Sequence, residues 1–102
     1  MSVAGAKRTF SERSIAFVPD RSGVYSLHSK SKTVYIGESG QLQTRLLQHL
    51  TGRGTPGCET ADQYKYELVS GEKARKSREA ALLREYRAMH RRLPRFNTQA
   101  PA

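Results

Sequence analysis

The spacing of apolar residues changes several times along this chain, and each change marks a predicted element. Residues 23–37 contain two short runs, GVYSLH and TVYIG, which are rich in β-branched and aromatic residues. A polar segment, residues 29–32, separates them. Runs of this composition around a polar break are typical of a β-hairpin. The predicted hairpin carries two tyrosines, Tyr25 and Tyr35, ten residues apart.

The alternation of side chains predicts the register of this hairpin. A turn of odd length sets Tyr25 opposite Tyr35 and Gly23 opposite Gly37, and it keeps the apolar residues of both strands on shared faces. A turn of even length scatters these sets, because a slip of one residue moves every side chain to the other face. We therefore predict an odd turn.

Leucines at helical spacing follow the hairpin. Leu42, Leu46 and Leu50 predict a helix from about Gln41 to Leu50, and Ser39 is placed to cap it. A loop over 51–63 then leads to a third predicted strand.

That strand covers residues 64–69 (YKYELV), and the longest helix follows it, from about Glu72 to Arg92. Pro94 ends this helix, because a residue that precedes proline avoids helical geometry. The predicted apolar stripe of the helix consists of Leu82, Tyr86, Met89 and Leu93.

The element order is β-β-α-β-α, which predicts an α/β (α+β) fold with a small three-stranded, mainly antiparallel sheet flanked by helices. We predict a polar N-terminal arm over 1–22, one folded domain over 23–97 and a tail over 98–102. With 102 residues, the chain is long enough for one such domain.

The net charge of the chain indicates what it binds rather than how it folds. Eighteen Lys and Arg against nine Asp and Glu give a net charge of +9, which favours nucleic acid as the partner, with an anionic membrane as second choice. No segment approaches the roughly 20 apolar residues of a membrane span. Cys58 is the only cysteine, so neither an intrachain disulfide nor a cysteine-based zinc cluster can form. We expect a cytoplasmic protein.

Three residues are candidates for chemistry on spacing alone. Arg45 and His49 lie one turn apart at the margin of the first helix, where both could equally extend along the helix surface. Glu85 is an acid beside the apolar stripe of a strongly basic helix. Its structural alternative is an ion pair with Arg78 or Arg92.

Six features occur in order: GVY, YIG, Arg45, His49, the helix sequence EAALLRE, and PRFN, with twelve residues from Glu85 to Asn97. Together they resemble the GIY-YIG nucleases, which include homing endonucleases, some restriction enzymes and the nuclease domain of the bacterial excision-repair incision protein. The resemblance covers about residues 23–97.

The resemblance implies a DNA endonuclease with a single-metal site, in which Glu85 binds one Mg²⁺ or Mn²⁺ ion. It also implies roles in DNA repair or recombination. The other catalytic residues that it implies are Tyr25, Tyr35, Arg45, His49 and Asn97. These roles are chemically reasonable, since a hard cation neutralises charge on the reacting phosphate and an arginine fork fits its oxygens.

One residue departs from the pattern. Several relatives have lysine directly after YIG, whereas this chain has Glu38. An acid opposes ionisation of the neighbouring phenol unless it points away or pairs with an arginine. We therefore favour Tyr25 over Tyr35 as the base, with a nearby cation lowering its pKa.

The last helix and its exit carry nine cations against three acids, which predicts contacts with phosphate. The predicted DNA-binding residues are Gly37, Arg53, Lys73, Lys76, Arg78, Arg84, Arg92 and Arg95. Gly37 is included because a hairpin glycine lets phosphate approach the backbone. Either a separate targeting protein selects the DNA, or the enzyme recognises DNA structure or ends.

Two alternatives without catalysis remain. One is a basic nucleic-acid-binding module with the same fold, and the other is a small RNA-binding protein of ribosomal type. Both explain the charge, but neither requires the full set of site residues.

Overall fold

The computed structural model describes residues 3–97. The elements are β1 (Arg8–Thr9), α1 (Glu12–Ile15), β2 (Gly23–Ser29), β3 (Lys32–Ser39), α2 (Leu42–Leu50), β4 (Gln63–Leu68) and α3 (Glu72–His90). The strands form one antiparallel sheet in the order β1-β4-β2-β3, and helices pack against it. The mainly antiparallel α+β architecture is confirmed. The prediction of three strands is wrong, because the described sheet has four.

The additional strand lies in the segment that was predicted to be an arm. β1 pairs with β4 through Arg8 and Thr9, and α1 follows it, capped by the Ser11 hydroxyl, which accepts from the Ser14 amide at 3.2 Å. Ile15 is fully buried against the same core as the hairpin. The boundary at residue 22 stays a prediction, and the predicted tail lies outside the described residues.

The hairpin register differs from the predicted one by two residues. Tyr25 pairs with Gly37, and Leu27 pairs with Tyr35. The register then shifts after Leu27, where β3 contains a bulge. Because the difference is two residues rather than one, Tyr25 and Tyr35 still share a face of the sheet.

The turn explains the shift. It consists of two residues, Lys30 and Ser31, both with positive φ (52° and 67°), which is the geometry of the tightest hairpins. An even turn combined with one bulged residue preserves the same parity as an odd turn. The predicted faces therefore survive although the predicted pairs are wrong.

Each face of the sheet is covered by different elements. α1 and α2 cover the face of Tyr25 and Leu27, and α3 covers the face of Val24 and Ile36. As predicted, α2 follows the hairpin directly. The predicted cap is wrong, because the N-cap residue is Gln41, whose side chain makes no capping hydrogen bond; the Ser39 hydroxyl accepts from the Gln41 amide at 3.0 Å, before the first helical residue.

α3 is turned about its axis relative to the predicted stripe. Leu82 and Leu83 are buried, whereas Met89 is 70% exposed. The predicted stripe is thus wrong at Met89. The helix ends at His90, and Arg91 adopts φ 60°, which turns the chain back toward the sheet.

The C-terminal segment is fixed to the outer edge of β3. Asn97 accepts from the Ile36 amide through Oδ1 and donates to the Ile36 carbonyl through Nδ2, both at 2.9 Å. The Phe96 amide donates to the Val34 carbonyl at 2.8 Å. In the described part of the chain, no helix is long and apolar enough to cross a membrane.

Candidate active site

An open pocket of about 490 Å³ lies where β2 and β3 meet α2 and α3. It combines phenols, carboxylates and cations in a small volume. The residues that line it are Tyr25, Tyr35, Glu38, Arg45, Lys76, Glu79 and Ala80.

The two hairpin tyrosines form one wall of this pocket. Their ring centroids are 6.1 Å apart, and Tyr25 is fully buried whereas Tyr35 is partly exposed. Gly37, directly opposite Tyr25, makes this packing possible. A Cβ at Gly37 would lie 2.5 Å from the Tyr25 hydroxyl and 2.8 Å from the Tyr35 ring.

Gly37 is therefore buried under the two rings. Its contact with DNA stays a prediction, but the structure gives a different reason for the glycine than the one expected from the sequence. Space for Tyr25, rather than the approach of a phosphate, is what excludes a side chain at this position.

His49 lies behind the tyrosines and is fully buried. Its Nε2 atom is 2.7 Å from the Tyr25 hydroxyl, and its Nδ1 atom has no partner among the described residues. Burial, assisted by the charge of Arg45, lowers the pKa of His49 to about 4. The imidazole is therefore neutral at neutral pH and can accept a proton.

Arg45 joins the two phenols. It interacts with the hydroxyls of both Tyr25 and Tyr35, and its Nη1 donates to the Gln48 side chain at 3.0 Å. We expected a cation to lower the pKa of Tyr25, and Arg45 does act in that direction. Burial outweighs it, however, so the pKa of Tyr25 is raised well above its ordinary value. Tyr25 is thus a neutral phenol in the free protein.

Two carboxylates, Glu38 on β3 and Glu79 on α3, also line the pocket. Burial and the charge of Glu38 raise the pKa of Glu79, although Lys76 opposes the shift. The Arg75 guanidinium donates to Glu38 Oε1 at 3.4 Å, while Oε2 is buried without a hydrogen-bond partner among the described residues. Glu38 is thus paired with an arginine. This pairing is one of the two conditions under which an acid directly after YIG does not oppose ionisation of the neighbouring phenol.

This donor set fits a divalent cation. Hard cations such as Mg²⁺ take oxygen ligands and need only one or two carboxylates, because they keep several waters. A bound cation would reduce the repulsion between the two carboxylates. It would also give the buried Glu38 oxygen the partner that it lacks among the described residues. Within residues 3–97 no cluster of three or more His, Cys, Asp or Glu side chains that could hold a metal ion is present.

Glu85 lies elsewhere on α3. It does not line the pocket, and its charge acts on Arg78, whose guanidinium is bound to Glu67 on β4 at 3.0 Å. Glu85 comes six positions after Glu79 on the helix, so the two side chains point about 120° apart around its axis. The structural alternative for Glu85, an interaction with Arg78, is therefore present.

The structure thus brings together Tyr25, Tyr35 and Arg45, with His49 behind them. Asn97 holds the outer edge of β3 and does not line the pocket. Sequence reasoning missed Glu79. The sequence does contain a feature that points to Glu79, because it is the first residue of the EAALLRE segment whose last residue is Glu85.

The predicted DNA-binding cations divide into two groups. Arg78 is held in its ion pair with Glu67. The others have exposed side chains, and Lys76 also borders the pocket: Arg53, Lys73, Lys76, Arg84, Arg92 and Arg95. Binding of DNA by these residues stays a prediction.

Two buried histidines make the fold sensitive to acid. Burial lowers the pKa of both His28 and His49 to about 4, from 6.5. Between these values the unfolded chain binds more protons than the folded one, so the free energy of unfolding falls as pH drops from about 6.5 to about 4. Each histidine contributes up to about 1.4 kcal/mol per pH unit to this slope.

Urea unfolding across this pH range measures the slope. The His28→Asn variant should show a shallower fall than the parent. Equal slopes in the two proteins would contradict this assignment.

Solved structures of one nuclease domain are similar to this chain along most of its length. The GIY-YIG N-terminal endonuclease domain of UvrC from Thermotoga maritima, bound to magnesium as its catalytic divalent cation, is 28% identical with a TM-score of 0.66. The match covers 82% of this chain and 91% of that domain. A mutant of that domain with an asparagine replaced by alanine, also bound to its catalytic divalent cation, matches with a TM-score of 0.67 at 28% identity, covering 83% of this chain and 91% of that one.

The chain therefore has the GIY-YIG nuclease fold, as the tyrosine strands predicted. The family to which it belongs is described as a domain of unknown function (DUF7508), whose model matches residues 1–89. No curated protein sequence matches the chain.

Proposed function

We propose that this protein is a metal-dependent endonuclease that hydrolyses DNA phosphodiester bonds in the pocket between the hairpin, α2 and α3. The observation that supports this most directly is the convergence of Tyr25, Tyr35 and Arg45 with the carboxylates of Glu38 and Glu79 in one open pocket. A module that only binds nucleic acid has no need for two carboxylates facing the phosphate-binding arginine.

In this proposal Glu79 and Glu38 would hold one divalent cation, which would neutralise charge that develops on the phosphate. Arg45 positions the scissile phosphate, since its planar fork matches two phosphate oxygens. Tyr35, on the more exposed side of the pair, orients the substrate beside Arg45.

The proton route uses the buried pair. As a water attacks phosphorus, Tyr25 takes the proton of the water and passes its own proton to Nε2 of His49, 2.7 Å away. The bond from phosphorus to the leaving oxygen breaks, and solvent in the open pocket protonates that oxygen. His49 is positioned for this transfer because it is neutral and already hydrogen-bonded to Tyr25, and its pKa of about 4 means that it releases the proton again readily.

A cleavage panel tests the proposal. Purified protein is incubated with supercoiled, nicked, flap, branched and single-stranded DNA, with Mg²⁺, Mn²⁺ or a chelator. We expect cleavage of at least one substrate with metal and none with chelator. The Arg45→Gln variant, purified in the same way, should lose this activity, which excludes a contaminating nuclease.

If no substrate is cleaved with either metal while salt-sensitive binding persists, the protein is a binding module and the proposal is wrong.

A further inference from the structure

A second, strongly basic depression lies beyond the hairpin turn, on the side of β3 where α3 ends. It is a groove of about 560 Å³, and a smaller groove of about 320 Å³ adjoins it and shares Lys32, Thr33, Tyr86 and Arg92. The residues of the larger groove are Ser29, Lys30, Lys32, Thr33, Val34, Tyr86, Arg92 and Arg95.

The charge of this groove is one-sided. In the part of the chain that the structure describes, every ionised side chain that lines it is basic: Lys30, Lys32, Arg92 and Arg95. Four cations held around one depression repel each other, and a polyanion relieves that repulsion. Neither the fold nor the pocket chemistry requires this arrangement.

The backbone directs these cations into the groove. The tight turn at Lys30 and Ser31, with positive φ at both residues, forms one side of the groove and places Lys30 in its lining. Arg91, also at positive φ, turns the chain after α3 so that Arg92 and the following segment return across β3.

The wall between these cations is rigid. Tyr86 and His90 stack with ring centroids 4.1 Å apart, and the Tyr86 hydroxyl donates to the Thr33 carbonyl at 3.4 Å. Arg95 is held over the Phe96 ring at 5.4 Å. Because Arg95 is already positioned, it loses less conformational entropy when a phosphate binds.

The groove and the candidate active site are lined by neighbouring residues of one strand. Thr33 and Val34 line the groove, and Tyr35, the next residue of β3, lines the pocket. Two residues of strand span about 7 Å. Phosphates of one DNA strand follow one another about every 3.4 Å along the duplex axis.

We propose that this groove binds the phosphate backbone of the DNA substrate about two to three nucleotides from the scissile bond. The inference rests on the proposed function for the identity of its ligand. It adds Lys30 and Lys32 to the substrate-binding residues and defines the direction in which the DNA leaves the pocket.

Binding without cleavage tests the groove independently of catalysis. Fluorescence anisotropy measures the affinity for a short fluorescein-labelled DNA duplex in chelator over a series of NaCl concentrations. The variant Lys30→Asn/Arg92→Gln uses asparagine because this residue tolerates positive φ. We expect weaker binding and a salt slope reduced by about 2, since each lost phosphate contact removes about 1.

A matched variant, Lys7→Gln/Arg13→Gln, removes the same charge from exposed positions near the N-terminus. It should change affinity and slope much less. Equal losses of DNA affinity in the two variants would mean that general positive charge, and not the groove, binds the DNA, and would overturn the proposal. Unchanged affinity in the groove variant would overturn it as well. If the first variant does not fold, Lys32→Gln/Arg95→Gln answers the same question.

If the groove variant binds DNA more weakly while the parent protein never cleaves DNA, the proposed role of the groove stands and only the nuclease function is refuted.

Discussion

The Glu79→Gln variant is expected to cleave DNA more slowly than the parent by a factor on the order of 10² to 10³. Glutamine keeps the shape of the side chain but removes the charge that faces Glu38 and, in our proposal, binds the cation. The same change removes repulsion between two half-buried carboxylates, so the free energy of unfolding should not fall. Loss of activity without loss of stability is the signature of a functional carboxylate.

Glu85→Gln is the matched control, because it makes the same chemical change six residues along the same helix. Glu85 interacts with Arg78 on the β4 side, so its variant should keep activity within a few-fold of the parent. Mn²⁺ binding measured by calorimetry gives a readout that does not depend on turnover: it should weaken in Glu79→Gln only. The reverse pattern would confirm Glu85, the metal ligand implied by the family resemblance, and would remove Glu79 from the site.

Gly37→Ala is expected to damage both stability and activity. The new methyl group would lie 2.5 Å from the Tyr25 hydroxyl, a distance that requires the ring to move. Tyr25 is fully buried, so the movement is resisted by the core, and overpacking of this kind costs about 1–3 kcal/mol. A shift of about 1 Å in the Tyr25–His49 pair should lower the rate on the order of 10²-fold.

Gly40→Ala provides the comparison three residues away. The atoms nearest to its added methyl group would be those of the Arg75 guanidinium, at an ordinary contact distance of 3.7 Å. Urea unfolding and the cleavage assay should therefore give values close to the parent. If Gly37→Ala behaves like Gly40→Ala in both assays, the close packing of Tyr25 against Gly37 does not control the site.

Sequence periodicity predicted the hairpin, α2, β4 and α3 because each of them has a clear apolar pattern. It predicted the faces of Tyr25 and Tyr35 but not their register, which depends on a two-residue turn with positive φ and on one bulged residue. Neither has a signal in apolar spacing. The N-terminal strand was missed because it has only two residues, and its pairing with β4 is a tertiary contact.

The predicted position of Glu85 relative to the sheet depended on the predicted helix face, whereas its role as metal ligand was implied by the family resemblance and stays a prediction. A stripe centred on Leu82, Tyr86 and Met89 puts Glu85 and Glu79 at similar distances from the sheet. Burial of Leu83 instead of Met89 turns α3 by roughly 40–50°, which brings Glu79 to the pocket and moves Glu85 away. Which of two adjacent stripes faces the core is decided by the surface of the sheet, so the helix sequence alone does not determine it.

The segment that holds Asn97 on β3 has a consequence for how copies of this protein meet. β3 is the outermost strand on its side of the sheet, and the free amides and carbonyls of such a strand are a template for pairing with another chain. The bonds from Phe96 and Asn97 occupy Val34 and Ile36 along this edge. Strand-to-strand aggregation is thereby blocked beside the two tyrosines, and the pocket stays open to a substrate.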